Sequence, residues 1–150
     1  MTTQNDRVQK NTPESLNREM EGQIKAQVAF YSKQDKNAIS RRIAELEKEW
    51  NMDRMLITNA SSLAGIGLLL GATVHKRWLF VPGVVLTFLL QHGIQGWCPP
   101  LPLFRKFGVR SFKEIDRERF ALKFLRGDFS SISNSNGTTD IDELMQAINK

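Results

Sequence analysis

The residues of this chain that could do chemistry are few, and Cys98, the single cysteine, comes first. A thiol at that position could carry a persulfide, a metal or a mixed disulfide if its pKa were lowered. It stands at the carboxyl end of an apolar helical run, where the helix dipole disfavours a thiolate. Arg105 and Lys106 follow it closely in sequence, but no base is identifiable. A lone cysteine also excludes an internal disulfide and a cysteine-rich metal site. His75 and His92 are the only histidines. Zinc needs four ligands, or three and a water, and two histidines at opposite ends of an apolar run with one cysteine do not supply them. No metal or other cofactor is expected, and His92 reads as a hydrogen-bonded histidine. The chain has no glycine-rich phosphate loop and no nucleophile, histidine and acid at an arguable spacing. Asn136-Gly137-Thr138 matches a glycosylation sequon, read here as chance because that tail is placed on the cytoplasmic side. Neither a catalytic residue nor a small-molecule substrate emerges.

The elements that position these residues are two apolar runs, Leu56–Val74 and Trp78–Trp97, separated by His75-Lys76-Arg77. Crossing about 30 Å of hydrocarbon takes about 20 helical residues at about 1.5 Å each. Both runs have that length. In the second, residues such as Leu79, Phe80, Val84, Leu86, Leu89, Leu90 and Ile94 each favour insertion by about 0.3–0.6 kcal/mol at mid-bilayer. The first is polar at its start, through Thr58, Asn59, Ser61 and Ser62. It is carried into the bilayer as the antiparallel partner of the second across the short break.

Lys and Arg number 21 and Asp and Glu 16, yet none lies inside either run. The mean hydropathy of −0.34 hides that segregation. A net charge of +5 and a pI near 9.6 could indicate nucleic acid, but the basic residues flank apolar spans instead of forming an aromatic-interleaved patch. Anionic lipid headgroups are the expected counter-charge. No apolar core typical of a cleavable signal appears in the first 30 residues, so the hairpin is expected to act as its own insertion signal. Arg41, Arg42, Lys48, Arg54, Arg105, Lys106 and Arg110 flank the spans, against Lys76 and Arg77 in the turn. The positive-inside rule then places both termini in the cytoplasm.

Small residues Ala60, Ala64, Gly67 and Gly71 share one side of the first span, and Gly83, Thr87, Gln91 and Gln95 recur at intervals of four in the second. Such ridges let helices approach closely. The expected register puts Gly71 near Gly83, Gly67 near Thr87 and Ala60 near Gln95, with Gln91 and Gln95 turned to the first helix or to another protomer. Trp78 and Trp97 sit where aromatic anchors belong, with Arg105 and Lys106 at headgroup level.

Around the spans, residues 1–36 read as polar and partly disordered, with a loose helix beginning at Thr12-Pro13-Glu14. Residues 37–57 form an amphipathic helix on the stripe Ile39, Ile43, Leu46, Trp50 and Ile57, running without a break into the span. That stripe could form a short coiled coil between protomers, or pack on the chain's own carboxyl flank; intramolecular packing or bilayer contact is preferred to the coiled coil, because the stripe covers fewer than three heptads. Residues 98–128 comprise the exit Cys98-Pro99-Pro100-Leu101-Pro102, which stops the helix, and a basic helix opening at Ser111 and closing at Gly127. Its two apolar sides, Phe112, Ile115 and Leu122, then Phe120, Ala121 and Phe124, call for two partners: the 37–57 helix and the bilayer surface. Residues 129–150 are a flexible linker and a short terminal helix.

The fold expected is all-α: a membrane-embedded antiparallel helical hairpin, spans 56–74 and 78–97, with amphipathic cytoplasmic helices on both flanks. The Gly67–Gly71 run and the ending Gly93-Ile94-Gln95-Gly96-Trp97-Cys98-Pro99 resemble the two-helix transmembrane domain of small bacterial inner-membrane proteins of the YgaP type. The resemblance covers about a quarter of the chain and implies an anchor in a bacterial cytoplasmic membrane, able to self-associate. In some proteins that domain is fused to a rhodanese sulfurtransferase, but no rhodanese domain is present, and Cys98 corresponds to the hairpin exit. The function expected is a non-enzymatic anchor or interaction module contacting lipid, a membrane protein partner or a second copy, and not nucleic acid. The alternative is a sulfur-relay accessory using Cys98.

Overall fold

The computed structural model describes residues 7–130. Helix accounts for 79% of them and no strand occurs among them, so the class is all-α. The helices are α1 (Arg7–Lys10), α2 (Glu14–Tyr31), α3 (Lys36–Lys48), α4 (Met52–Thr73), α5 (Phe80–Gln95), α6 (Leu101–Lys106) and α7 (Phe112–Arg126), with a 3₁₀ turn at Lys76–Leu79 before α5. The terminal helix expected within 129–150 lies outside the described residues.

Two compact units follow, one from the described residues of Met1–Glu21 together with Trp50–Lys113, the other from those of Gly22–Glu49 and Glu114–Lys150. The expected unbroken 37–57 helix is not found. Asp35 caps α3 by accepting from the Ala38 amide, and the chain turns extended at Glu49. Asn51 then starts a new helix, its side chain accepting from the Arg54 amide at 2.9 Å. An Asn at this position satisfies a backbone donor that a continuous helix would not leave free, and the apolar stripe passes over that signal. The stripe ends accordingly: Ile39, Ile43 and Leu46 are buried, while Trp50 and Ile57 are exposed.

In the second unit Ile39, Ile43 and Leu46 of α3 pack on Ile115 and Leu122 of α7, with Tyr31 at the edge. Residues three and four apart share one helical face, and here two such faces close on each other. Charges tie the same pair. Arg42 reaches the buried Glu118 carboxylate at 3.0 Å, and Arg126 donates to Ser40 Oγ at 3.0 Å and pairs with Asp128. That pairing holds the Arg126 pKa above its usual value. Burial holds the Lys123 ammonium below its usual pKa, aided by Arg119. Phe120 and Phe124, on the other side of α7, remain exposed.

In the first unit Val8, Met52, Leu56, Cys98 and Leu101 form the core, with Phe104 and Val109 against it. The amino-terminal segment is helical over Arg7–Lys10 and again from Glu14. Thr12 Oγ1 donates to the Val8 carbonyl at 2.6 Å and Asn17 Nδ2 to the Gln9 carbonyl at 2.8 Å. Asn17 Oδ1 in turn accepts from Arg105 Nη2 at 2.9 Å.

Leu122 is fully buried between α3 and α7. Leu122→Ala is expected to lower unfolding free energy by about 2–5 kcal/mol, read by denaturant unfolding in mild detergent, whereas Phe124→Ala on the exposed side changes it by about 0.5 kcal/mol or less.

Candidate functional site

Two helices are long and apolar enough to cross a membrane. At 22 residues, α4 is about 33 Å long. The second, the 3₁₀ turn plus α5, counts 20 residues. They pack on each other, and the contacts run in opposite order along the two. A Cβ placed on Gly71 would meet the Leu79 side chain, and one on Gly67 would meet Pro82 Cδ at 2.6 Å and Val81. Further along, Leu56, Ala60 and Leu63 face Val85, Phe88 and Leu89 around one cavity, and Asp53 Oδ1 lies 3.3 Å from His92 Nε2.

Ala64, Gly67 and Gly71 are thus buried along α4, and Ala60 is half-buried. The second ridge is placed differently from the expected register. Nothing lies within 4 Å of a Cβ on Gly83. Thr87 Oγ1 donates back to the Gly83 carbonyl at 2.8 Å. Gln95 is exposed and Gln91 half-buried, the Gln91 amide reaching Gln95 Oε1 at 3.5 Å. The physical reason is Pro82. It occupies the first turn of α5, where a missing amide donor is harmless, and its flat ring, with Val81 and Leu79, fills the notches left by Gly67 and Gly71. Small residues on α4 therefore receive large residues of α5 instead of a matching small ridge. The turn is set by His75, whose Nδ1 accepts from the Arg77 amide at 3.1 Å.

The outward faces carry the main chemical fact. Leu69 is 68% exposed, Phe80 78% and Ile94 68%. Leu63, Ile66, Leu68, Val84, Leu86 and Leu90 are exposed with them. Monomeric soluble proteins rarely show contiguous apolar surface beyond a few hundred Å².

At the end remote from the turn the chain folds back on α5. Gly96 takes the left-handed conformation (φ 76°) that ends the helix. Arg7 Nη1 donates to the Gly93 carbonyl at 2.9 Å, and Asn11 Nδ2 to the Gln95 carbonyl at 3.2 Å. A guanidinium at a helix carboxyl terminus satisfies carbonyls that have no intrahelical partner. The sequence holds no signal for this, because the partners are 86 and 84 positions apart.

Trp78, Trp97 and Lys106 are exposed. Arg105, expected beside Lys106 at headgroup level, is instead 0% exposed, donating to Asn17 and, at 3.3 Å, to the Val109 carbonyl. The prolines cause this: Pro100 leads into α6, and that short helix turns Arg105 inward.

Two cavities flank His92. One, of about 260 Å³, is lined by apolar side chains such as Leu56, Leu63, Val85 and Leu89, together with His92 and Cys98. The other, of about 330 Å³, is lined by Arg7, Asp53, His92, Ser111 and Lys113. Cys98 is 3% exposed; burial pushes its thiol pKa up, only partly offset by a hydrogen bond from the Leu101 backbone. It is a thiol at neutral pH, a poor nucleophile. No cluster of three metal-ligating side chains occurs among the described residues.

No family model, curated protein or solved structure matches this chain.

Gly67→Leu is expected to force the helices apart and lower stability by about 1–3 kcal/mol, while Gly65→Leu, at a position with open space, stays within about 0.5 kcal/mol; thermal unfolding in detergent distinguishes them. Alkylation of Cys98 at pH 8 should run at least about tenfold slower in the folded protein than after denaturation, and should accelerate only above the pH at which an ordinary thiol ionises.

Proposed function

We propose that the chain is an integral membrane protein whose two spans form an antiparallel hairpin and anchor cytoplasmic helices for contact with lipid, a membrane protein partner or a second copy. The supporting observation is the open apolar surface of α4 and α5, which carries no charged side chain between Leu56 and Val74 or between Trp78 and Trp97. Water is a poor solvent for that surface and hydrocarbon a good one. Helices satisfy their backbone groups internally, as a span requires.

The basic residues that flank the two apolar runs in sequence, against Lys76 and Arg77 between them, support a cytoplasmic location for both termini. Insertion in a bacterial cytoplasmic membrane, with membership of the YgaP-like hairpins, rests on the Gly67–Gly71 and Gly93–Pro99 segments alone. The exposed Phe120 and Phe124 of α7, beside Arg119, fit a surface that meets lipid headgroups or a partner. The role is read as non-enzymatic, and the sulfur relay through Cys98 loses support because its thiol is buried and its pKa raised.

Topology tests the reading. A fluorescent reporter joined after Lys150 is expected to be active when expressed in bacteria, and an alkaline phosphatase joined there inactive; the reverse pattern contradicts cytoplasmic termini. Cys98→Ser is expected to leave growth under sulfur and redox stress unchanged, and a specific defect would revive the relay.

A further inference from the structure

The two cavities at the open end of the α4–α5 pair share one wall, His92; one is almost wholly apolar and the other is of mixed lining with two cationic side chains. On the polar side Arg7 and Lys113 contribute two cations, from α1 and from the first turn of α7. Among the described residues that line it, Asp53 of α4 is the one carboxylate, and its oxygen faces His92 Nε2 at 3.3 Å. The Ser111 side chain adds a hydroxyl. A guanidinium has five N–H donors in a planar fork. The Gly93 carbonyl fixes Arg7 through Nη1, so the cation is held at this site by the helix end itself. On the other side of His92 the cavity is almost wholly apolar. Its 260 Å³ equals the room of about eight or nine waters at roughly 30 Å³ each, enough for the first stretch of an acyl chain.

Resting on the membrane reading above, we propose that this end of the pair binds one anionic phospholipid: its phosphate lies between Arg7 and Lys113, and the upper part of one acyl chain enters the apolar cavity beside Leu56, Leu63, Val85 and Leu89. A pocket bearing two cations beside an apolar slot, with His92 lining both, matches a molecule that carries a phosphate on a hydrocarbon. The site also falls at the end of the pair remote from the Lys76–Arg77 turn, the end that the membrane reading above assigns to the cytoplasmic leaflet, where anionic headgroups concentrate. The bound lipid would tie α1, α4, α5 and the start of α7 together, so its headgroup adds to the hold that Arg7 has on α5.

The test uses the full chain in vesicles of phosphatidylcholine containing a few per cent of spin-labelled phosphatidylglycerol or, in parallel, spin-labelled phosphatidylcholine, with the protein-bound fraction read by electron spin resonance. The wild type is expected to favour phosphatidylglycerol by at least about threefold. The double variant Arg7→Gln, Lys113→Gln is expected to lose most of that preference, Lys113→Gln alone about half, and Lys76→Gln with Arg77→Gln at the opposite end none. Circular dichroism confirms equal helix content, and Lys113, being exposed, gives a variant that keeps its fold if the double variant does not. Equal association of both lipids in the wild type, or an unchanged preference in Lys113→Gln and the double variant, overturns the proposal. So does displacement of the labelled lipid by millimolar inorganic phosphate, which would assign the pocket to a free anion. Failure of the protein to enter the vesicles at all contradicts the membrane reading; entry without lipid selectivity contradicts only the lipid site.

Discussion

One constraint governs the rest of the molecule: two adjacent helices keep large apolar side chains on their outer faces, and no charge interrupts them between Leu56 and Val74 or between Trp78 and Trp97. The interior of the pair is closed by shape. Gly67 and Gly71 open notches on α4, and Pro82, Val81 and Leu79 fill them. Close approach of this kind depends on van der Waals contact, which works equally well in hydrocarbon, where the hydrophobic effect between helices is absent. The outer side chains gain nothing from the pairing. They demand an apolar solvent or another protein.

The polar parts are built around that demand. At the open end, α5 leaves carbonyls without intrahelical partners, and Arg7 and Asn11 supply donors from the amino-terminal segment. Arg105 is buried against Asn17 and the Val109 carbonyl, so a residue whose charge resembles an interfacial anchor serves as an internal tie. The second unit is held differently, by an apolar seam of α3 and α7 with buried Glu118 bridged to Arg42. Charge there is paired rather than excluded, as burial of a carboxylate requires.

Much of this was legible in the sequence. The two long apolar helices follow from length and composition, the α3–α7 seam from residues three and four apart, and the close of α7 from Gly127, whose φ of 92° suits glycine. Local rules located these because their causes are local. The register of the spans was not legible: the spacing of small residues names the faces able to approach but not the bulky residues that enter them, and Pro82 decided the matter. The Asn51 break was available as a capping signal and was overridden by an apolar stripe that continued past it. The hold of Arg7 on the end of α5 and the inward turn of Arg105 onto Asn17 depend on hydrogen bonds between residues more than 80 positions apart, which no local pattern contains. Of the cavity pair at His92, the sequence offered Cys98 and His92 separately and nothing that joined them.

Extraction of native membranes with alkaline sodium carbonate bears most directly on the solvent these helices require. Integral insertion of α4 and α5 predicts that the full-length chain stays in the membrane pellet and is released only by detergent. Recovery in the carbonate supernatant, as a monomer that remains soluble without detergent, would contradict it and make the exposed apolar faces a surface for soluble partners.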